Sequence, residues 1–257
     1  MIRFFKRLFG ISVLDISSSG RTDTGRVRSH NEDKFCILGD RKVFLVADGM
    51  GGHNAGEVAS QAAIETLSDY FSKEAIRNLK GNTEEIRHFL IKGLHYTNDV
   101  VMKMAREDES RKGMGCTLVS GLIDGDVLHT CHVGDARCYI ADKQGLEQVT
   151  TDHSVIAAYE KKARSSNPTG LKRPPRQVIT RAIGFPFEED PEYHCREIRP
   201  GNRLLLCSDG LWSMVNDKQI HEILISSEMA EEASDILIEK ANEAGGTDNI
   251  TAIVIFC

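Results

Sequence analysis

The chain has 257 residues, 40% of them hydrophobic, and a formal net charge of −6, enough to bury a large core as one domain with a short arm. A pI near 5.9 offers no concentrated basic face and argues against nucleic acid as a partner. No segment supplies the roughly 18 consecutive apolar residues of a membrane span. The seven cysteines (Cys36, Cys116, Cys131, Cys138, Cys195, Cys207 and Cys257) form no C-x-x-C pair, which removes a zinc ribbon and fits reduced thiols in a cytoplasmic protein.

The first 14 residues, MIRFFKRLFGISVL, are too broken in hydrophobicity for a signal-peptide core. They read as a basic, aromatic arm with two uses. One is an amphipathic turn, built from Phe4, Phe5, Leu8 and Phe9 with Arg3, Lys6 and Arg7, that touches a membrane or a partner. The other, preferred because so short a helix is marginal by itself, is a frayed start whose phenylalanines pack on the domain formed by 15–257.

Strands are expected at 34–38 and 43–48, rich in Val, Ile and Leu. Asn54 and Glu57 then resemble a capping pair, and Val58, Ala62, Leu67 and Phe71 mark one face of a helix ending near 72. Ile86, Leu90, Leu94, Thr97, Val101 and Met104 place a second helix over 83–107. Strands at 116–123 and 127–140 flank Asp124-Gly125, a hairpin signal. The segment 161–176, KKARSSNPTGLKRPPR, reads as an exposed loop that gates a site or is simply solvated. A strand at 203–209, a short helix at 217–226, a helix marked from Ala233 to Ala244 and stopped by Gly245-Gly246, and a strand at 249–256 complete the chain. Helices fall in early and late pairs around antiparallel strands, which favours a layered α+β sandwich over a parallel sheet.

Acidic residues recur at the ends of these strands. VFLVADG and RLLLCSDG run apolar residues into Asp48 and Asp209; Asp248 precedes the last strand, Glu32 and Asp33 precede the first, and Asp135 lies within the long strand region 127–140. Any one of them reads as a turn residue. Five such acidic sites beside core strands, with no matching basic set, would repel one another on convergence and so require cations. Oxygen ligands without His or Cys select Mg(II) or Mn(II). A carboxylate can bridge two such ions, and Gly49 leaves room for its carbonyl to approach one. Arg28 offers a planar fork for phosphate oxygens, although taken alone it reads as a surface arginine.

VRSHNED, VADGMGG, GCTLVSGLI, HVGDARCYI, VITRAIG, LLLCSDGLW and GGTDNITAIVI occur in the order and approximate spacing of a known family. The chain, from about 19 to 256, resembles bacterial metal-dependent Ser/Thr protein phosphatases of the protein phosphatase 2C, or PPM, type. The resemblance implies a four-layer α-β-β-α sandwich, two antiparallel sheets flanked by helix pairs. It implies that Asp48 bridges two metals, Gly49 gives its carbonyl, Asp209 and Asp248 complete the first metal's shell, and Glu32 and Asp33 hold waters around the second. Asp135, with Asp209, matches a third, weaker metal site, and Arg28 matches the phosphate-binding arginine. The implied reaction is direct attack of a metal-bridging hydroxide on phosphoserine or phosphothreonine, without a phosphoenzyme. The implied partners are phosphorylated proteins and a cognate Ser/Thr kinase, and the expected state is a monomer.

Two departures limit the likeness. Animal members carry a His directly after the Asp-Gly, where this chain has Met50; His53 is either a substitute general acid or an orienting group for the Gly-rich loop. The flap-like segment 152–178 is basic and carries prolines, so substrate preference does not transfer through it. Lys161, Lys162, Arg164, Lys172, Arg173 and Arg176 there either guide an acidic partner or are solvated.

CHVGDAR, 131–137, also matches the C-x-x-G-x-x-R loop of cysteine-dependent phosphatases. Asp135 inside it would repel phosphate, and a strand rather than a helix is expected after it. A second alternative is a catalytically silent member that binds phosphoproteins; its mark would be a lost carboxylate, and none is lost.

Overall fold

The computed structural model describes residues 14–51, 55–79, 81–165, 174–175 and 178–257. The predicted arm up to 13, Asn54 of the predicted cap and His53 lie outside the described residues, as do Lys172, Arg173, Arg176 and the side chain of Arg164.

In chain order the strands are β1 (Ser17–Asp23), β2 (Asp33–Leu38), β3 (Val43–Met50), β4 (Gly115–Asp124), β5 (Val127–Val133), β6 (Arg137–Asp142), β7 (Gly145–Gln148), β8 (Glu192–Glu197), β9 (Arg203–Cys207) and β10 (Ile250–Phe256). The helices are α1 (Ala55–Tyr70), α2 (Lys73–Asn78), α3 (Thr83–Glu107), α4 (Val155–Ser165), α5 (Asp209–Trp212), α6 (Asp217–Ser226) and α7 (Ala230–Glu243). Two antiparallel five-stranded sheets result, in the orders β1-β10-β9-β6-β7 and β2-β3-β4-β5-β8.

The apolar runs of the central strands are continuous because these strands are buried on both faces. Along β3, Val43, Leu45 and Ala47 pack with Leu67, Leu90 and Leu94 of α1 and α3, while Phe44 and Val46 point the other way. The latter meet Leu204, Leu206, Ile253 and Ile255 of the facing sheet. Along β10 the same alternation sends Ala252 and Val254 against Leu224 and Leu237 of α6 and α7. Helix pair, sheet, sheet and helix pair make the four layers of the expected α+β sandwich. Leu14 is buried in the core between the sheets. Among the described residues no helix is long and apolar enough to cross a membrane.

Several expectations need correction. β1 (SSSGRTD) and β8 (EYHCRE) had no apolar signature, since both are partly exposed sheet edges held by β10 and β5. The predicted strand 127–140 is two strands in different sheets. The chain turns at Gly134, whose φ is +100° and whose added Cβ would stand 2.5 Å from Thr117 Cβ. Asp135 therefore sits in the crossover between the sheets rather than within a strand. β9 stops at Cys207, and Asp209 opens α5 instead of ending the strand. The last helix begins at Ala230, one turn earlier than its marker residues. Lys161 and Lys162 lie exposed on α4 rather than in a loop; VIAAYEKKARS contains good helix formers, and the downstream prolines had suggested otherwise.

Candidate active site

Strand register gathers the acidic residues. Asp33 pairs with Asp48 across β2 and β3. In the other sheet, Ala252 of β10 pairs with Cys207 of β9, so Asp248 and Asp209 leave the same end of neighbouring strands. The crossover brings Asp135 to the same place.

Asp33 is fully buried. Its Oδ2 accepts a 2.6 Å hydrogen bond from Ser208 Oγ, and that hydroxyl in turn accepts from Thr251 N. Its Oδ1 is buried with no hydrogen-bond partner. Burial first, then Asp209 and Asp248, pushes its pKa up to about 7. Asp48 keeps part of its residue surface open, yet burial of its carboxylate and then the charges of Asp33, Asp209, Asp135 and Asp248 raise its pKa well above the usual carboxylate range. Asp209 is pushed up to about 6, by burial and then by Asp248. Asp209 is among the charges that raise Asp48, so without cations the two carboxylates resist ionising together. Burial, then Asp209 and Asp152, pushes Asp135 up to about 7. Glu32 is raised by burial, with Arg28 acting the other way.

Arg28 and Glu32 stand on the loop 24–32, and the buried Asn249 straps that loop down. Its Oδ1 accepts from Glu32 N at 2.8 Å; its Nδ2 donates to Thr24 O at 2.9 Å and His30 O at 2.8 Å. Sequence reasoning missed Asn249, although an Asn directly after a candidate ligand was a signal. Gly49 has a packing reason beyond the expected one: an added Cβ would collide with the Gly56 carbonyl and stand 2.6 Å from that of Glu32. Gly49 N also donates to Glu32 O. Arg28 is half exposed, and its guanidinium holds Asp248 Oδ2 at 2.8 Å.

A buried acceptor without a partner, neighbouring carboxylates with raised pKa values and an all-oxygen donor set fit hard divalent ions. The structure does not support the cysteine-phosphatase alternative. Cys131 is fully buried, and burial raises its thiol far above the range where a thiolate forms. Arg137 starts strand β6, grips Asp152 with two bonds of 2.9 and 2.7 Å and lies 3.6 Å from the Trp212 ring centroid, so it is committed elsewhere.

The family model for protein phosphatase 2C matches residues 20–250. The chain belongs to the protein phosphatase 2C family. It is by class a protein phosphatase. It is 36% identical over 238 residues to the serine/threonine phosphatase stp of Listeria monocytogenes, covering 91% of this chain and 93% of that one. Among solved structures it resembles the Mycobacterium tuberculosis serine/threonine phosphatase PstP/Ppp, with a TM-score of 0.82, 34% identity, and coverage of 95% and 99%. It also resembles the catalytic domain of PstP in complex with two manganese ions, with a TM-score of 0.80, 33% identity, and coverage of 94% and 97%.

Raised carboxylate pKa values mean that, above its unfolded pKa, each group holds more protons folded than unfolded, so stability is lost as pH rises through the folded value. Below about pH 6.5 the buried His129 and His132, whose pKa values are lowered by burial, act oppositely. Between about pH 6.5 and 8 the carboxylates decide the sign. Metal-free protein is expected to lose thermal stability across that window, and Asp48→Asn to flatten the loss. Melting curves check this; a stability that rises with pH would contradict the electrostatic description.

Proposed function

We propose that the protein is a metal-dependent Ser/Thr phosphatase that hydrolyses phosphoserine and phosphothreonine in proteins by direct attack of water on phosphorus. The observation that carries this reading is the convergence of Asp33, Asp48, Asp135 and Asp209 from both sheets, whose pKa values stay raised although Arg28 and Arg137, each paired with another aspartate, act the other way on Asp209. In this reading Asp48, the Gly49 carbonyl, Asp209 and Asp248 would hold Mn(II) or Mg(II) ions, with Asp48 shared between two of them. Glu32 and Asp33 hold the second through waters, and Asp135 with Asp209 offers a third, weaker position. Bound ions supply charge neutralisation for the phosphoryl group and lower the pKa of the attacking water.

Arg28 orients the ester. Its ion pair with Asp248 is half exposed and weak, so a phosphate dianion offering bidentate oxygens competes for the guanidinium. Hydrolysis needs a proton for the leaving alkoxide, and His53, in the Gly-rich sequence that follows Asp48, is proposed as its donor. The phosphorylated substrates imply a Ser/Thr kinase that this enzyme opposes. Seven free thiols suit a reducing compartment, in keeping with a cytoplasmic protein; its domain takes in Leu14, which is packed in the core, and a monomer is the expected state.

Metal-stripped protein should hydrolyse p-nitrophenyl phosphate and a phosphothreonine peptide only after Mn(II) is added, with Cys131→Ser equally active. Asp48→Ala and Asp209→Asn should each lose more than about a hundredfold in kcat/KM, above the loss typical of groups that merely support ligands. Full activity in either variant would remove the site assignment; silence of the wild type under Mn(II) would indicate a phosphoprotein-binding relative. His53→Ala should slow alkyl phosphate hydrolysis more than nitrophenyl phosphate hydrolysis, because nitrophenolate leaves without a proton. Equal slowing would reduce His53 to an orienting role.

A further inference from the structure

A second set of ligating side chains lies apart from the carboxylate centre. In the β5–β8 ladder His132 stands opposite Glu192, and His194, two residues further along β8, shares the face of Glu192 by strand alternation. His153 reaches the same spot from the stretch that precedes α4. The ligand atoms of His132, His153 and Glu192 lie within 4.8 Å of one another.

The hydrogen-bond pattern leaves this group incomplete. His132 Nε2 faces the Thr151 carbonyl at 2.8 Å, so it must carry the proton, and the lone pair is on Nδ1. That Nδ1 is buried and has no partner, in a residue with no exposed surface. His153 Nδ1 accepts from Gly134 N at 3.2 Å, which puts its proton on Nε2, 2.9 Å from Glu192 Oε2. The other carboxylate oxygen lies 3.1 Å from His194 Nε2. A purely structural network would satisfy Glu192 and His153, but it leaves a buried imidazole lone pair aimed at nothing.

We propose that His132, His153 and Glu192, with His194 as fourth ligand, form a second metal site, selective for a zinc-class ion. Imidazole nitrogens with one carboxylate are the donors such ions prefer, whereas the all-oxygen centre suits Mn(II) or Mg(II). Binding through Nε2 requires the other neutral tautomer of His153: its proton moves from Nε2 to Nδ1, so the bond to Glu192 and the bond accepted from Gly134 N are both given up while the imidazole stays neutral. The site must also contract, because tetrahedral zinc holds nitrogen ligands about 3.3 Å apart at bond lengths near 2.0 Å. The rings of His132 and His153 are stacked 4.6 Å apart and only 14° from parallel, and a metal lies in the plane of each ring that binds it. One ring therefore turns on binding. His153 stays tied to Gly134 through its main-chain N–H, so zinc here restrains the crossover that carries Asp135.

The test titrates metal-stripped full-length Asp48→Asn protein, whose carboxylate centre is impaired, with Zn(II) against a chromophoric chelator, and with Co(II) as a spectroscopic probe. One Zn(II) per chain should bind in the presence of excess Mn(II), and Co(II) should give the intense visible absorption of a tetrahedral nitrogen-rich site. Adding Glu192→Gln or His194→Ala should weaken Zn(II) binding at least tenfold. Both side chains are partly exposed, so the fold should survive either change, as a circular dichroism spectrum would verify. No Zn(II) bound under Mn(II), only the weak six-coordinate Co(II) spectrum, or unchanged affinity in both variants would overturn the proposal.

Discussion

Repulsion between converging carboxylates is the constraint on which the rest of the structure depends. Asp33, Asp48, Asp135 and Asp209 reach one end of the sandwich from both sheets, and burial alone raises the cost of ionising each of them. Left to themselves they resist ionisation, because each is buried beside other carboxylates. Divalent cations reverse that preference by stabilising the ionised form. The two packed sheets supply the rigidity that keeps the groups together despite the cost.

Precision at the site comes from groups that carry no charge. Ser208 links Asp33 to the main chain of β10. Asn249, the residue after Asp248, ties the loop bearing Arg28 and Glu32 to the start of β10. Gly49 lets β3 approach the first turn of α1 at a distance no side chain permits. These contacts connect strand register to ligand position, so loss of one displaces ligands without removing any.

The central strands were legible in the sequence because burial on both faces writes an unbroken apolar run, as in 43–47 and 252–255. The long helix α3 was legible from its period, and Asp48 and Asp209 from the apolar runs that lead into Asp-Gly, although Asp209 opens α5 rather than ending a strand. The edge strands β1 and β8 were hidden by their polar, half-exposed residues. The division of 127–140 was hidden because V-G-D sits in an apolar context, while the change of sheet depends on a φ that only glycine adopts readily. The Arg28–Asp248 pair and the histidine cluster join residues far apart in the chain, and only strand register brings them together.

The most direct measurement is a calorimetric titration of metal-free protein with Mn(II) near pH 6.5, repeated in two buffers of different protonation enthalpy. Protonated carboxylates must release protons to hold a cation, so roughly two ions per chain should bind with net release of at least about one proton. Absence of binding, or binding without proton release, would contradict a carboxylate cluster held together by divalent ions.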